Sequence, residues 1–328
     1  MPDRITAAGA LPADQGEIDT YLEILEVQRK FSSHTVSNYR RDLQLLLGLA
    51  EGLSLKGLTQ HQIRRFVSKL HAGGISPRSI ARKLSAWRGF YQWLAEKFSL
   101  PSNPIDQIRA PRQTKPLPKA LSVDDAVQLV ATRPAPLPGS PEELATPLCN
   151  QAMFELLYSS GLRVSELAGL DFRHIQDGDY ESDSWINLQD LEMTVTGKGN
   201  KKRIVPVGHA AAGAIAAWLS VREKLVRADQ IDGQRALFIN QRGTRISART
   251  IQIRLKEHAR ALELPLKVHP HVLRHSFASH VLQSSGDLRA VQEMLGHASI
   301  ASTQVYTALD YQHLARIYDA THPRAKKK

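Results

Sequence analysis

Apolar residues recur at helical spacing through the first hundred positions of the chain, separated by short polar turns. Thr59 with Gln62 three residues later forms a capping-box pattern, and Ser76 followed by Pro77 is typical of an N-cap and first helical residue. We therefore predict four short helices, with apolar faces turned toward a common core. The predicted helices cover residues 17–30, 35–52, 59–74 and 76–98.

The pattern changes after this module. In "NPIDQIRAPRQTKPLPKALS", residues 103–122, prolines alternate with basic residues, which is typical of an extended linker. We predict a helical N-terminal domain over 1–112, a linker over 113–120 and a second domain over 121–328.

Helical patterns return in the second domain, at 122–133, at 149–161 and from 209 onward. Between them, residues 185–207 show strand periodicity, and the turn "GKGNKK" separates two runs as in a β-hairpin or small meander. The proline-rich stretch within 132–148 and the acidic stretch 177–190 are predicted to be surface loops. The whole chain is thus expected to be mainly α, with a small antiparallel sheet in the second domain.

Charge is concentrated in the N-terminal third. The net charge of the chain is +11, and residues 29–97 alone carry thirteen basic against three acidic residues. An excess confined to one domain favours a polyanionic partner over ordinary solvated surface charge. Short helices with such basic faces are suited to a phosphate backbone, and the candidate residues for binding it are Arg40, Arg41, Arg64, Arg65, Arg78, Arg82, Lys83 and Arg88.

The remaining composition excludes several classes. Cys149 is the single cysteine, so we expect neither an internal disulfide framework nor a multi-thiolate metal site. No apolar run approaches the roughly 20 residues of a membrane helix, and the N-terminal residues lack a secretory apolar region. A soluble protein of the reduced cytoplasm is the plain expectation.

Six residues of the second domain together predict a chemistry that none predicts alone. Taken singly, an arginine after a helix stop, a lysine in a turn, a lone histidine or a packed tyrosine has an ordinary structural explanation. In combination, arginines and histidines can hold the oxygens of a phosphodiester, a lysine can protonate a departing oxygen, and a phenol can attack phosphorus. The six candidates are Arg163, Lys198, His271, Arg274, His297 and Tyr306.

Metal- and ATP-dependent alternatives lack their usual motifs. The sequence has no acidic D-x-[DE] cluster, no H-E-x-x-H and no Walker loop. We therefore expect a reaction in which fixed cations stabilise the transferring phosphate, without a metal or nucleotide cofactor.

The motifs "GLRVSEL", "GKGNKKR", "HPHVLRHSFASH", "LGHASIASTQVYT" and "LDYQHLARIYDATHPRAKKK" resemble the tyrosine site-specific recombinases, the phage-integrase-like family. Within that family the chain is most similar to the XerC branch of the bacterial Xer recombinases. The resemblance implies that Tyr306 is the nucleophile and Lys198 the general acid. The phosphate would be held by Arg163, His271, Arg274 and His297, and Glu166 would orient Arg163.

The resemblance also implies a two-domain clamp on double-stranded DNA, with a SAM-like core-binding domain and an α+β catalytic domain, and it makes the basic residues above candidate DNA-binding residues. The expected function is strand exchange that resolves chromosome dimers, in a heterotetramer with a XerD-like paralogue and under a septal DNA translocase. The segment after Tyr306 would dock on a neighbouring protomer, or alternatively pack on its own domain. Two other functions remain open: a phage- or transposon-type integrase, and a non-catalytic DNA-binding protein on the same scaffold.

Overall fold

The structure is a computed structural model that describes residues 12–112, 120–132, 141–197, 199–265, 267–285 and 287–296. The chain divides into two compact units, Met1–Pro116 and Leu117–Lys328, each with its own apolar core. Helices dominate both units, and the strands form small antiparallel sheets, so the predicted fold class is confirmed. Within these described ranges no helix is both long and apolar enough to cross a bilayer.

Four α-helices form the described part of the first unit. They are α1 Pro12–Glu23, α2 Ser33–Leu49, α3 Gln60–Ala72 and α4 Pro77–Phe98. The predicted capping box is present, because Thr59 and Gln62 exchange side-chain and backbone hydrogen bonds at the start of α3. Ser76 likewise accepts from the backbone of Ser79 at 3.3 Å and places Pro77 at the first helical position of α4.

One buried carboxylate joins α2 to α4. The side chain of Asp42 is fully buried, and its oxygens lie 2.6 Å from Arg82 Nη1 and 2.9 Å from Lys83 Nζ. Asp42 also accepts a 2.7 Å hydrogen bond at its backbone oxygen from the indole N–H of Trp87, itself buried in the core. These contacts fix how α4 lies on α2, since a buried charge is tolerated only with its partners in place.

The second unit contains eight α-helices and five strands among its described residues. The helices are α5 Val123–Ala131, α6 Pro141–Ser160, α7 Val164–Ala168, α8 His209–Arg222, α9 Ile231–Arg235, α10 Ala248–Ala261, α11 Pro270–Ser285 and α12 Leu288–Leu295. The strands are β1 Gln176–Asp177, β2 Tyr180–Glu181, β3 Trp185–Asn187, β4 Glu192–Thr196 and β5 Lys202–Pro206.

Both stretches predicted as loops contain residues of helices or strands. Residues 141–148 belong to α6, so that prediction was wrong for the second half of the proline-rich stretch. Ala145 is buried in the core, and Pro147 is accommodated inside the helix despite its missing N–H. In the acidic stretch, β1 and β2 form a short hairpin, and the hydroxyl of Tyr180 donates to Asp171 at 2.7 Å.

The strands β3, β4 and β5 form an antiparallel meander in that order. Met193 and Val195 of β4 are buried, as their alternation predicts. The strand β5 alternates in the same way and buries Arg203 and Val205, with Arg203 paired opposite Val195. Strand periodicity therefore turns an arginine toward the interior.

Helix α11 is held against the start of the second unit by a buried polar cluster. The hydroxyl of Ser276 accepts from the backbone N–H of Leu121 at 2.9 Å, and His280 Nε2 lies 3.0 Å from the oxygen of Leu121. Because a carbonyl can only accept, Nε2 carries the proton, and Nδ1 accepts from Tyr158 at 3.0 Å. Burial lowers the pKa of His280, which favours this neutral form.

We predict that Asp42→Asn lowers the stability of the first unit by about 2–4 kcal/mol, because Arg82 and Lys83 lose their shared counter-charge. Urea unfolding with amide exchange in α2 and α4 measures the change. Asp19→Asn is the matched control, since the Asp19–Arg40 pair is about half exposed and should contribute less than about 1 kcal/mol. Equal losses in both variants would contradict the structural role of Asp42.

We also predict that Gly161→Ala destabilises the second unit by about 2–4 kcal/mol. Gly161 has φ +60°, and a Cβ there would lie 2.5 Å from Phe277 Cδ1 and 3.0 Å from Leu295 Cδ2. Gly213 of α8 is the control, because a Cβ there meets no atom within 4 Å and Gly213→Ala should stabilise the helix by about 0.5–1 kcal/mol. Thermal unfolding of the two variants in parallel distinguishes strain from a general effect of alanine.

Candidate active site

Arg163 lies at the sharp turn that follows α6. Gly161 takes a left-handed conformation, which ends α6 and directs the chain into α7 with Arg163 as its N-cap residue. The backbone N–H of Arg163 donates to Glu166 Oε2 at 2.8 Å, and its Nη1 donates to Glu166 Oε1 at 2.7 Å. The side chain of Arg163 remains 34% exposed, so part of its guanidinium can meet a ligand.

Glu166 is buried and is shared by a second arginine. Arg203 Nη1 and Nη2 donate to the two Glu166 oxygens at 3.1 Å and 2.9 Å, a bidentate pair between side chains that are each about 6% exposed or less. Burial raises the pKa of the Glu166 carboxyl, but the hydrogen bonds and charge of Arg203, together with the hydrogen bonds of Arg163, bring the pKa below its ordinary value. Glu166 is therefore a carboxylate at neutral pH.

Arg274 reaches the same region from α11. Its Nη1 donates to the backbone oxygen of Gly161 at 2.6 Å, and its Nη2 donates to that of Leu295 at 2.5 Å. Burial, and then the positive charge of Arg163, lower the pKa of Arg274 to about 10, which leaves it protonated at neutral pH. Each bond uses one N–H of its nitrogen, so three N–H groups of this guanidinium can serve another acceptor.

Arg163 and Arg274 thus converge at the end of α6, each fixed from behind by protein acceptors. With Glu166 and Arg203 they form a group of three positive charges and one negative charge, a net charge of +2. Pre-oriented guanidinium groups with unused donors are suited to a phosphate, whose oxygens accept bidentate hydrogen bonds. Among the described residues, no three histidine, cysteine or acidic side chains come together as a metal site would require.

His271 lies in the first turn of α11, three residues before Arg274. Its side chain is exposed, and its ring lies 6.1 Å from that of His269, centroid to centroid. Burial and the nearby His271 lower the pKa of His269.

The other three candidates, Lys198, His297 and Tyr306, lie outside the described residues. In the sequence, Lys198 lies between the last residue of β4, Thr196, and the first residue of β5, Lys202, and His297 follows Gly296.

The eight candidate DNA-binding residues fall into two groups. Arg41, Arg64, Arg65 and Arg78 are exposed and have no carboxylate within ion-pair distance in the described part of the chain. The other four have protein acceptors: Arg40 pairs with Asp19, Arg82 and Lys83 pair with Asp42, and Arg88 donates to the backbone oxygens of Ile105 and Ile108.

Sequence reasoning missed Arg203. It lies in the quoted motif "GKGNKKR", where it reads as one more cation of a basic turn. Its alternation with Val205 was the available signal, because the two residues share a strand face and Val205 faces the core. A charged residue at an inward position of a strand requires a buried partner, and here that partner is Glu166.

Comparisons with known proteins identify the family of the chain. A model of the phage integrase family matches residues 121–313, and a model of the phage integrase N-terminal SAM-like domain matches residues 18–97. The chain is 56% identical to tyrosine recombinase XerC 1 of Ralstonia nicotianae, over 100% of this chain and 98% of that protein.

Two solved structures show the same fold at low sequence identity. XerH site-specific recombinase in a post-cleavage complex with a palindromic difH substrate is 20% identical, with a TM-score of 0.63 over 92% of this chain and 84% of that chain. A lambda integrase tetramer bound to a Holliday junction is 18% identical, with a TM-score of 0.60 over 89% of this chain and 80% of that chain. The match of one family model to more than half of the chain, with a full-length relative above half identity, settles the classification. The chain belongs to the phage integrase family and is a tyrosine recombinase of the XerC type.

Proposed function

We propose that this recombinase cuts and rejoins DNA through a 3′-phosphotyrosyl intermediate and resolves chromosome dimers during segregation and cell division. The observation that carries the proposal is the convergence of Arg163 and Arg274 at the end of α6, with their unused donors free for a phosphate. The similarity to a XerC protein over the full length supports the biological role.

In this proposal the scissile phosphate lies between the two arginines. Arg163 and Arg274 hold its non-bridging oxygens and stabilise the charge of the pentacoordinate state, and His271 and His297 contribute further donors. Glu166 does not touch the phosphate and acts by orienting Arg163. No metal or nucleotide is required, because the cations of the chain fill the role of the metal.

Tyr306 supplies the nucleophile. Its phenolic oxygen gives up its proton to a histidine of the site and attacks phosphorus, the bond from phosphorus to the 5′-oxygen breaks, and Lys198 protonates that oxygen to give a 5′-hydroxyl. A 5′-hydroxyl from the partner strand then attacks the phosphotyrosine, which rejoins the DNA and releases the tyrosine. The number of phosphodiester bonds is unchanged, so the exchange needs no external energy source.

The first unit supplies the sequence-independent grip. Its exposed arginines are suited to the phosphate backbone, and together the two units would form the clamp that the family resemblance implies. Residues 1–112 would then be the core-binding domain, 113–120 the linker and 121–328 the catalytic domain.

The partners that we propose follow from the XerC similarity. The chain would act in a heterotetramer with a XerD-like paralogue on a short recombination site, and a septal DNA translocase would activate the complex. The residues after Tyr306 would dock on the neighbouring protomer. We also propose a cytoplasmic location, since the proposed substrate is chromosomal DNA.

We predict that Tyr306→Phe abolishes the covalent protein–DNA adduct on a nicked suicide duplex, because phenylalanine lacks the attacking oxygen. Gel analysis of denatured reactions measures the adduct. Tyr311→Phe and Tyr318→Phe are matched controls in the same C-terminal segment and should retain it. An adduct that persists in Tyr306→Phe would overturn the assignment of the nucleophile.

We predict that Arg64→Gln/Arg65→Gln weakens DNA binding and makes it less dependent on salt. The slope of log affinity against log salt should become smaller in magnitude by about two, since two phosphate contacts are lost and about 0.9 counterions are released per contact. Titrations at several salt concentrations give the slope. Glu51→Gln/Lys69→Gln is the control, because Lys69 lies on α3 with Arg64 and Arg65 and the double change removes an exposed 3.0 Å ion pair without changing net charge. Its slope should match that of the unmodified protein, and an unchanged slope in the arginine variant would exclude both residues from the interface.

A further inference from the structure

Arg203 contacts two segments that lead to candidate catalytic residues. It lies on β5, five residues after Lys198, and no reaction role in the proposed function uses it. Its guanidinium binds Glu166, which in turn holds Arg163, and its Nε donates to the backbone oxygen of Met294 at 3.1 Å near the end of α12. A single buried side chain therefore joins β5, α7 and α12.

The end of α12 is packed closely on this guanidinium. Gly296 has φ +62°, and a Cβ at that position would lie 3.1 Å from Arg203 Cδ and 3.2 Å from its Cζ and Nε. The absence of a side chain at Gly296 allows the backbone to approach Arg203 just before His297. The position at which the chain leaves α12 thus depends on Arg203.

The charges show why a second arginine is needed. Arg163 alone with Glu166 would form a neutral pair, so Arg163 would offer little net positive charge to a phosphate. Arg203 binds both carboxylate oxygens, whereas the Arg163 side chain makes a single hydrogen bond to one of them. With Arg203 the group that includes Arg274 has a net charge of +2, and without it the net charge is +1.

We propose that Arg203 is a positioning residue for strand cleavage. It neutralises Glu166 and holds the end of α12, which leaves the charge of Arg163 available to the scissile phosphate. The inference rests on the proposed function, because it assumes that Arg163 and Arg274 hold that phosphate. Arg203 makes no contact with DNA in this proposal, so its loss should lower the rate of cleavage and not the affinity for DNA.

A purely structural role is the alternative, and the chain offers a matched comparison. Arg222 of α8 is also buried, 4% exposed against 6% for Arg203. It donates to the backbone oxygens of Gly233, Gln234 and Ala236. None of these bonds reaches a candidate catalytic residue, so Arg222→Met measures the effect of losing a buried arginine on folding alone.

The experiment measures single-turnover adduct formation on a nicked duplex at saturating protein, with the DNA dissociation constant determined separately. Rates are divided by the folded fraction from circular dichroism. Arg203→Met should lower the rate about 10- to 100-fold, a range typical of groups that orient a ligand-binding residue from behind, with affinity changed less than about threefold. Arg222→Met should leave the rate per folded molecule unchanged.

A second variant that restores the net charge of the site distinguishes a positioning role of Arg203 from a role in packing alone. Adding Glu166→Gln to Arg203→Met restores the net charge of +2, so the double variant should be faster than Arg203→Met by about tenfold. Arg203→Lys keeps the charge and should lose less rate than Arg203→Met, and it also serves if the methionine variant does not fold. A double variant as slow as the single one, or a lysine variant as slow as the methionine variant, would refute the charge argument.

The failure of this inference differs from failure of the proposed function. If the unmodified protein, assayed together with its XerD-like paralogue, forms no adduct on a nicked duplex that carries their recombination site, the proposed function is wrong, and the inference falls with it. If the unmodified protein forms the adduct and Arg203→Met reacts at the same rate per folded molecule, only the role of Arg203 is refuted.

Discussion

The second unit depends on one buried carboxylate. Glu166 lies between Arg163 and Arg203 and is nearly inaccessible to water, so its charge must be matched by cations whose positions are fixed. That requirement determines where α7 begins relative to β5, because the two arginines come from those elements. The guanidinium of Arg203 makes two hydrogen bonds to the carboxylate, whereas the guanidinium of Arg163 makes one. Arg163, whose guanidinium makes fewer hydrogen bonds to the carboxylate, is the arginine that remains partly exposed.

Backbone carbonyls provide the second constraint. The last carbonyls of a helix have no partner within the helix and carry a negative partial charge. Arg274 binds the oxygen of Leu295 at the end of α12 and that of Gly161 just after α6, and Arg203 binds Met294. Carbonyl oxygens at helix ends, which would otherwise need hydrogen bonds from water, therefore bind the arginines of the site. The same bonds fix the ends of two helices, so stability and cation placement have a common cause.

The sequence predicted the helices of the first unit, their caps at Thr59 and Ser76, and a β-hairpin or small meander over 185–207, because apolar periodicity and local capping decide these features. It was wrong about residues 141–148, where the burial of Ala145 outweighs the effect of Pro147 on the helix. Motif order brought out Arg163 and Arg274, which the fold brings together. Arg203 could not be recognised from its own motif, because its partner lies 37 residues earlier in the chain. Only the fold shows that a third arginine shares the carboxylate.

Buried carboxylates have opposite consequences in the two units. Asp42 pairs with Arg82 and Lys83 and so uses two cations of the basic N-terminal third for the packing of α4 on α2. The positive field of the first unit therefore comes from exposed cations such as Arg64 and Arg65 on α3. In the second unit the added cation is Arg203, which faces the interior, and its charge keeps that of Arg163 available. The basic residues that pair with buried acids must therefore be subtracted before a count of cations is used to judge attraction to a polyanion. The position of each remaining cation then decides whether it contributes to DNA binding or to the reaction.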